Sequence, residues 1–266
     1  MADNENDEIR LGSILYTLVE PHRGHEVAYN RWYERDHFYA GCMIGPYQFA
    51  GQRFVATRPY KDLRYPIDSP ITPDALTGSY LALYFVLAGH HDDWNRWAVD
   101  QVNKLHANGR MFAERDHIHT ALYNYEWFAA RDADGVPPEL TLDHRFGGLV
   151  TIVGELAEGA SHEAVDAWYR DTRLPALLDA SSDIALGMRF SPKPLLADAP
   201  GDVPRDENVD RRFFWLFFTD GDPAESWPAF AQEADALKAS GLGTLLWAAP
   251  FIPTIAGTDT YTDELW

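Results

Sequence analysis

The chain has 266 residues, of which 46% are hydrophobic and 14% aromatic, a composition typical of a globular protein and not of a disordered one. Acidic residues outnumber basic ones by 41 to 22, for a net charge of −19. Such a surface repels nucleic acid and anionic lipid, so we expect neither as a partner.

The sequence also indicates a compartment. Cys42 is the single cysteine, so an internal disulfide is impossible and a reducing environment is expected. Residues 1–8 are acidic and polar, unlike a signal peptide, and no apolar run reaches the ~18 residues of a membrane span. We therefore expect a soluble, cytoplasmic protein.

The first half of the chain predicts four strands and two helices. The predicted strands are 11–19, 47–57, 80–87 and 120–128, and the predicted helices are 24–40 and 92–108. Residues 80–87 are apolar at every position, which indicates a strand that is covered on both faces.

The second half repeats this order. Its predicted strands are 148–155, 184–190, 212–219 and 242–251, and its predicted helices are 161–179 and 223–240. Loops 58–78 and 191–211 occupy the same place in each half. We predict an N-terminal unit (9–128), a linker (129–144), a C-terminal unit (145–254) and a tail (255–266), whose Tyr261 and Trp266 are candidates for docking on a neighbouring chain.

A sequence repeat relates the two halves. Residues 32–37 (WYERDH) and 51–54 (GQRF) return 136 residues later as 168–173 (WYRDTR) and 187–190 (GMRF). Each half then reads as βαββαβ, a ferredoxin-like unit with one bare sheet face. We predict an α+β fold in which two tandem ferredoxin-like repeats face their antiparallel sheets towards each other as an intramolecular α/β barrel.

The motif of the first half resembles that of a known superfamily. The helix from Asn30 through Trp32 and Tyr33 to His37, followed by Gly51-x-Arg53-Phe54 on a strand, is similar to the dimeric α/β-barrel superfamily, and most of all to its EthD-like and related branches in a tandem-fused form. That superfamily contains cofactor-free monooxygenases, cyclases, isomerases and dehydratases, and also haem-binding branches. The resemblance implies a cavity between helix and sheet lined by a histidine at position 37, and it leaves the reaction open.

Three residues of helix 24–40 are candidate catalytic groups. Asn30, Tyr33 and His37 stand at i, i+3 and i+7, so they share a face of an α-helix, and an imidazole beside a phenol and an amide can move a proton. The second copy places Asp166 and Arg173 where Asn30 and His37 stand. This difference favours a function for His37 over the alternative, an inert histidine placed near a helix C-terminus by the dipole.

Five further residues are candidates for substrate binding. They are aromatic side chains that could form pocket walls and one guanidinium that could orient an oxygen: Trp32, Arg53, Tyr16, Tyr80 and Tyr84. Trp32 and Arg53 recur as Trp168 and Arg189, which favours a scaffold role as the alternative.

The histidines predict no metal centre. His117 and His119 alternate along a strand and so point to opposite faces, and no further ligand completes a zinc pattern. We expect no cofactor. The alternative is a haem with a single axial histidine, for which His37, His117 and His119 are candidates.

These observations predict a cofactor-independent acid/base enzyme, an isomerase, dehydratase, cyclase or related lyase. His37 would be its general acid/base, and its substrate a small hydrophobic metabolite, aromatic or cyclic. The alternatives are a cofactor-free or haem-dependent oxygenase of an aromatic compound, and a non-catalytic binding protein for a hydrophobic metabolite. The fused chain is also a candidate homodimer.

Overall fold

Eight antiparallel strands close into one barrel. The structure is a computed structural model that describes residues 9–72, 74–199, 201, 203–205 and 208–266. The strands are β1 Leu11–Pro21, β2 Gln48–Val55, β3 Tyr80–Leu87, β4 Arg115–Ala130, β5 Gly148–Leu156, β6 Ile184–Lys193, β7 Arg212–Thr219 and β8 Gly243–Pro253. They follow one another around the barrel as β1-β3-β2-β8-β5-β7-β6-β4.

Each half contributes four adjacent strands in the ferredoxin-like order, and two seams join the halves. β4 pairs with β6 from Leu122↔Lys193 to Ala130↔Leu186. The seam between β2 and β8 is short and consists of Phe54↔Pro253 and Val55↔Ile252. The predicted α+β fold of two facing ferredoxin-like repeats is thereby confirmed, with both sheets continuous around one barrel.

Helices cover the outside of the barrel. They are α1 Glu26–Trp32, α2 Arg58–Asp62, α3 His91–Ala107, α4 His162–Trp168, α5 Leu174–Ala180, α6 Pro223–Phe230 and α7 Glu233–Ser240. The predicted helix 223–240 is two helices, and Pro228, which has no N–H to donate, lies just before the break. Among the described residues, every helix is too short or too polar to cross a lipid bilayer.

Two of these helices continue in π-helical conformation. α1 runs on as a π-helix over Tyr33–Met43, and α4 does so over Tyr169–Arg173. A π-helix bonds residue i to i+5, is rare, and often marks a functional site. The predicted helix 24–40 therefore exists, but its second part has wider turns than an α-helix.

The strands separate two apolar layers, as the doubly apolar segment 80–87 predicted. Leu81, Leu83 and Phe85 point into the barrel, where they pack with the inward residues of the other strands. Tyr80 and Tyr84 point outward and pack beneath α1 and its π-helical extension. The functional question concerns this outer layer, because helix and sheet meet there.

The C-terminal tail packs against the first half of its own chain. The Thr258 carbonyl accepts a hydrogen bond from Asn30 Nδ2 at 2.9 Å, and the Leu265 carbonyl accepts one from Lys61 Nζ at 3.0 Å. Trp266 Nε1 donates to Glu26 Oε1 at 2.6 Å. Both rings that suggested docking on a neighbour, Tyr261 and Trp266, thus belong to a segment held by intrachain contacts.

Candidate functional site

A cavity of about 120 Å³ lies between the sheet and the helices of the first half. Its walls come from the outer faces of β1 and β4, from the π-helix, from α3, and from the segment after β6. Most of its walls are apolar side chains, among them Leu15, Val19, Trp94, Val99, Met111, Leu122 and Leu195.

His37 stands in the wall of this cavity. Its imidazole stacks on Trp32, with ring centroids 4.6 Å apart and planes inclined by 18°, and meets Tyr33 edge-on at 5.3 Å. On its other side lies Gly41, where an added Cβ would come within 2.7 Å of His37 Cε1. The ring is therefore held between an indole and a stretch of bare backbone.

The surroundings keep His37 uncharged. Burial, and after it the positive charge of Arg115 and the imidazole of His117, together lower the pKa of the His37 imidazole to about 3. Nδ1 is buried and has no hydrogen-bond partner among the described residues. At neutral pH His37 is thus a neutral imidazole, whose one unprotonated ring nitrogen can accept a proton.

A polar strip runs along the sheet wall of the same cavity. It consists of Thr17, Thr120, His117 and Arg115, which all line the cavity. Thr17 Oγ1 and Thr120 Oγ1 are 3.0 Å apart, and His117 Nδ1 lies 3.2 Å from Thr120 Oγ1. Arg115 Nη2 lies 3.2 Å from His117 Nε2. This chain of contacts brings polar groups and a positive charge into an otherwise largely apolar cavity.

Tyr33 also lines the cavity, but its hydroxyl has another partner. Tyr33 OH and Tyr84 OH are 2.8 Å apart in the buried layer, and burial raises the pKa of both phenols well above the usual value. Both therefore remain neutral. Tyr84 belongs to the layer behind the cavity wall.

Asn30 does not lie on the face of the helix that His37 presents to the cavity. Its amide oxygen accepts a hydrogen bond from Arg53 Nη1 at 2.8 Å, and Arg53 also reaches Glu34 at 3.3 Å. The expectation of a common face assumed α-helical turns throughout, whereas the π-helix begins at Tyr33 and turns less per residue. Asn30 and Arg53 thus join the helix to β2 and the tail, outside the cavity.

The remaining predicted residues are placed as follows. Trp32 supports His37 from behind and donates from Nε1 to the Arg110 carbonyl at 2.8 Å. Tyr80 is buried beside Tyr29, with ring centroids 5.4 Å apart. Tyr16 points into the barrel, because side chains alternate along β1 and its neighbours Leu15 and Thr17 take the outer face. Of the eight predicted site residues, two line the cavity, namely His37 and Tyr33.

The polar strip was missed because the predicted strand began at residue 120, whereas β4 begins at Arg115. The alternation of His117 and His119 along the strand could have been used to predict that one of them faces the helices. His117 faces the cavity, and His119 faces the barrel interior, with Nε2 3.3 Å from Tyr123 OH. Extending that strand to include Arg115 would have placed His117 opposite the helix that carries His37.

The corresponding layer of the second half is filled. Arg173, which replaces His37, donates from Nε to Glu233 Oε2 at 2.6 Å, and Tyr169 OH donates to Glu233 Oε1 at 2.6 Å. Trp215 and Phe217 pack around this group and are fully buried. The two copies share a scaffold, and the first copy holds a cavity where the second holds an ion pair and aromatic rings.

The cavity beside His37 does not fit a haem. A volume of about 120 Å³ is well below the ~300–1,000 Å³ of ordinary small-molecule sites, and a porphyrin is larger than most such ligands. Both ring nitrogens of His117 have hydrogen-bond partners. His119 faces the barrel interior, where it lines a second cavity of about 440 Å³ and its Nε2 lies 3.3 Å from Tyr123 OH. Within the described part of the chain, no three His, Cys, Asp or Glu side chains cluster as metal ligands.

Comparison with known proteins supports the fold. No protein-family model and no curated protein matches this chain. Among solved structures, it is similar to an anthrone oxidase-like protein, with a TM-score of 0.55 and 11% identity over 94% of this chain and 95% of the other. It is also similar to a mutant chlorite dismutase from Candidatus Nitrospira defluvii, with a TM-score of 0.51 and 8% identity over 98% and 99%. Similarities this distant show the dimeric α/β-barrel fold and are no evidence for a particular activity.

Proposed function

We propose that this chain is an enzyme that removes a proton from a small, largely apolar compound, with His37 as the base. One observation carries the proposal: a neutral imidazole, whose buried Nδ1 has no partner in the described part of the chain, stands in the wall of a largely apolar cavity. Burying an unpaired polar atom is costly, so its retention favours a function for it.

The proposed step transfers one proton. With the ring proton on Nε2, the lone pair of Nδ1 takes a proton from a C–H group, and the electron pair of the broken bond stays on the substrate. A pKa of about 3 makes the free imidazole a weak base. In the cavity, however, the substrate anion forms beside the new imidazolium, and this attraction raises the pKa of His37 as the proton moves.

The size of the cavity limits the substrate. An engineered cavity of about 150 Å³ in another protein holds one benzene molecule, so the space here suits a compound with a single small ring. The apolar walls favour its carbon skeleton. A small cyclic or aromatic compound thus remains the proposed substrate class.

An isomerase, dehydratase or related lyase would complete the reaction by returning a proton or expelling a leaving group, and neither step requires a cofactor. We place the chain with the EthD-like branch on the sequence motif around His37 and Arg53. The second candidate is a cofactor-free oxygenase, in which molecular oxygen oxidises the substrate anion. The fold shared with an anthrone oxidase-like protein is compatible with this candidate and does not favour it over the first.

Hydrogen–deuterium exchange tests the proton-removal step. Acetophenone and cyclohexanone would be incubated with the protein in D₂O, and loss of the signals of the C–H groups beside their carbonyl followed by NMR. We expect exchange above the buffer rate, reduced about 10²–10⁴-fold by His37→Gln. His91→Gln is the matched control, since His91 is a partly buried histidine outside the cavity, hydrogen-bonded to Ser13.

The same samples separate the alternatives. Oxygen uptake that accompanies substrate loss identifies the oxygenase. Line broadening of a ligand without exchange, unchanged in His37→Gln, would identify a non-catalytic binding protein and contradict the proposal.

A further inference from the structure

We propose that the polar strip of Thr17, Thr120, His117 and Arg115 binds an oxygen atom of the ligand, so that this cavity takes ring compounds carrying a carbonyl or hydroxyl group. The inference rests on the proposed function in taking this cavity as the substrate site, and its argument from charge also takes His37 as the base. It concerns recognition, and it is tested by binding.

The first argument is position. The strip lies on the sheet wall, while His37 belongs to the helical wall, and both line the same cavity. A small ring between them has its edges directed to the two walls. The oxygen is the only part of such a ligand that gains from polar contacts, so it turns towards the sheet.

The second argument is hydrogen-bonding capacity. A threonine hydroxyl has one O–H donor and two acceptor lone pairs. Thr120 Oγ1 is engaged by both Thr17 and His117, whereas Thr17 Oγ1 contacts only Thr120 among the described residues. Thr17 is 7% exposed and lines the cavity, which leaves its hydroxyl able to bond a ligand oxygen. Because the contacts form a chain, each hydrogen bond polarises the next.

The third argument is charge. Arg115 stands at the end of the strip, with its Nη2 3.2 Å from His117 Nε2. Its positive charge is close enough to lower the pKa of His37. When a proton leaves the substrate for His37, negative charge collects on the conjugated oxygen. Hydrogen-bond donors and a fixed cation at that position stabilise such a charge best in surroundings that exclude water.

Paired ligands of equal shape test the proposal. Dissociation constants for phenol against toluene, and for cyclohexanone against methylenecyclohexane, would be measured by ligand-observed NMR. We expect the wild-type protein to bind each oxygen compound about tenfold more tightly than its hydrocarbon partner, the gain typical of a hydrogen bond. Thr17→Val and Thr120→Val keep the shape of the wall and remove the hydroxyl, so each should abolish the preference.

Two controls make the result decisive. Affinity for toluene should be unchanged in both valine variants, which shows that the cavity is intact. His119→Gln, two residues from His117 but facing the barrel interior, should keep the preference. Equal wild-type binding of phenol and toluene, or a preference that survives in both valine variants, would overturn the proposal.

The outcome is separable from that of the proposed function. A preference for oxygen that depends on Thr17, without proton exchange at any ligand, would retain the subsite and reject His37 as a base. Exchange that depends on His37, without such a preference, would do the reverse.

Discussion

His37 shows how neighbours set the chemistry of one residue. The sequence places a histidine with an ordinary pKa near the end of a helix. The fold presses its ring between Trp32 and Gly41 and removes it from water. Desolvation then favours the neutral form more strongly than any nearby acid favours the charged one. A group predicted to act as both acid and base therefore starts as a base.

The low pKa of His37 predicts a loss of stability in acid. Below about pH 6.5 the unfolded chain protonates this histidine, whereas the folded chain resists until about pH 3. The unfolded state thus binds more protons in this window, and the free energy of unfolding falls as the pH is lowered. Between pH 7 and pH 4.5 the contribution lost is roughly 2–3 kcal/mol.

Urea unfolding at these two pH values measures the effect. The wild-type protein should lose about 2–3 kcal/mol more than His37→Gln between them. The exposed His144 supplies the control variant, His144→Gln, which should follow the wild type. Equal losses in His37→Gln and the wild type would mean that His37 is not buried as described.

Gly41→Ala tests the position of the imidazole. The new Cβ would lie 2.7 Å from His37 Cε1, so the ring must move. We expect proton exchange to fall about 10–100-fold, because displacing a catalytic group by about 1 Å has that effect. Gly201→Ala, where a Cβ has no neighbour within 4 Å, should leave the rate unchanged. Full exchange in Gly41→Ala would contradict the role of His37.

At the scale of elements, the two helix–sheet layers diverged after duplication. Each retains a helix that turns π-helical at a tyrosine, Tyr33 or Tyr169. In the second layer Arg173 and Glu233 form a buried ion pair at 2.6 Å. This ion pair links helix α7, which carries Glu233, to the π-helix Tyr169–Arg173. The first layer has no such tie at His37 and retains a cavity.

Breaking the buried pair should be costly. Glu233→Gln leaves Arg173 charged without its carboxylate, and we expect the free energy of unfolding to fall by about 3–5 kcal/mol in urea denaturation. Asp62→Asn, which breaks the exposed pair with Arg58, should cost about 1 kcal/mol or less. Similar costs for both variants would show that the Arg173–Glu233 pair contributes no more than a surface pair.

At the scale of the molecule, the cavity depends on both halves. Leu195 and Leu196, which follow β6 of the second half, complete the walls of the cavity in the first. The C-terminal tail also packs against the first half, where the side chain of Leu265 is completely buried. The first half is thus completed by residues from later in the chain.

Leu265→Ala tests the contribution of the tail. Removing a fully buried leucine side chain should lower the free energy of unfolding by about 2–5 kcal/mol in urea denaturation. Leu140 is 52% exposed, so Leu140→Ala should cost much less. A small loss for Leu265→Ala would show that the tail does not hold its described position in solution.

The sequence was least informative where the site lies. The apolar strand β3 was predicted with its observed bounds, since its pattern reports burial directly. The start of β4 was missed because Arg115 and His117 are polar residues in a strand, and their outer face lines the cavity. Such departures from a local pattern are common at functional sites.

Patterns along the chain were enough to predict most of the elements, the duplication and hence the barrel, because hydrophobic period and repeat are properties of neighbouring residues. It also singled out His37, since one copy has this histidine and the other has Arg173. Three features required the folded chain: His37 is neutral, Asn30 bonds Arg53 instead of lining the cavity, and Thr17 and His117 lie on the wall opposite the helix. Burial, charge proximity and the width of a helical turn depend on residues far apart in the chain, and these set the chemistry of the site.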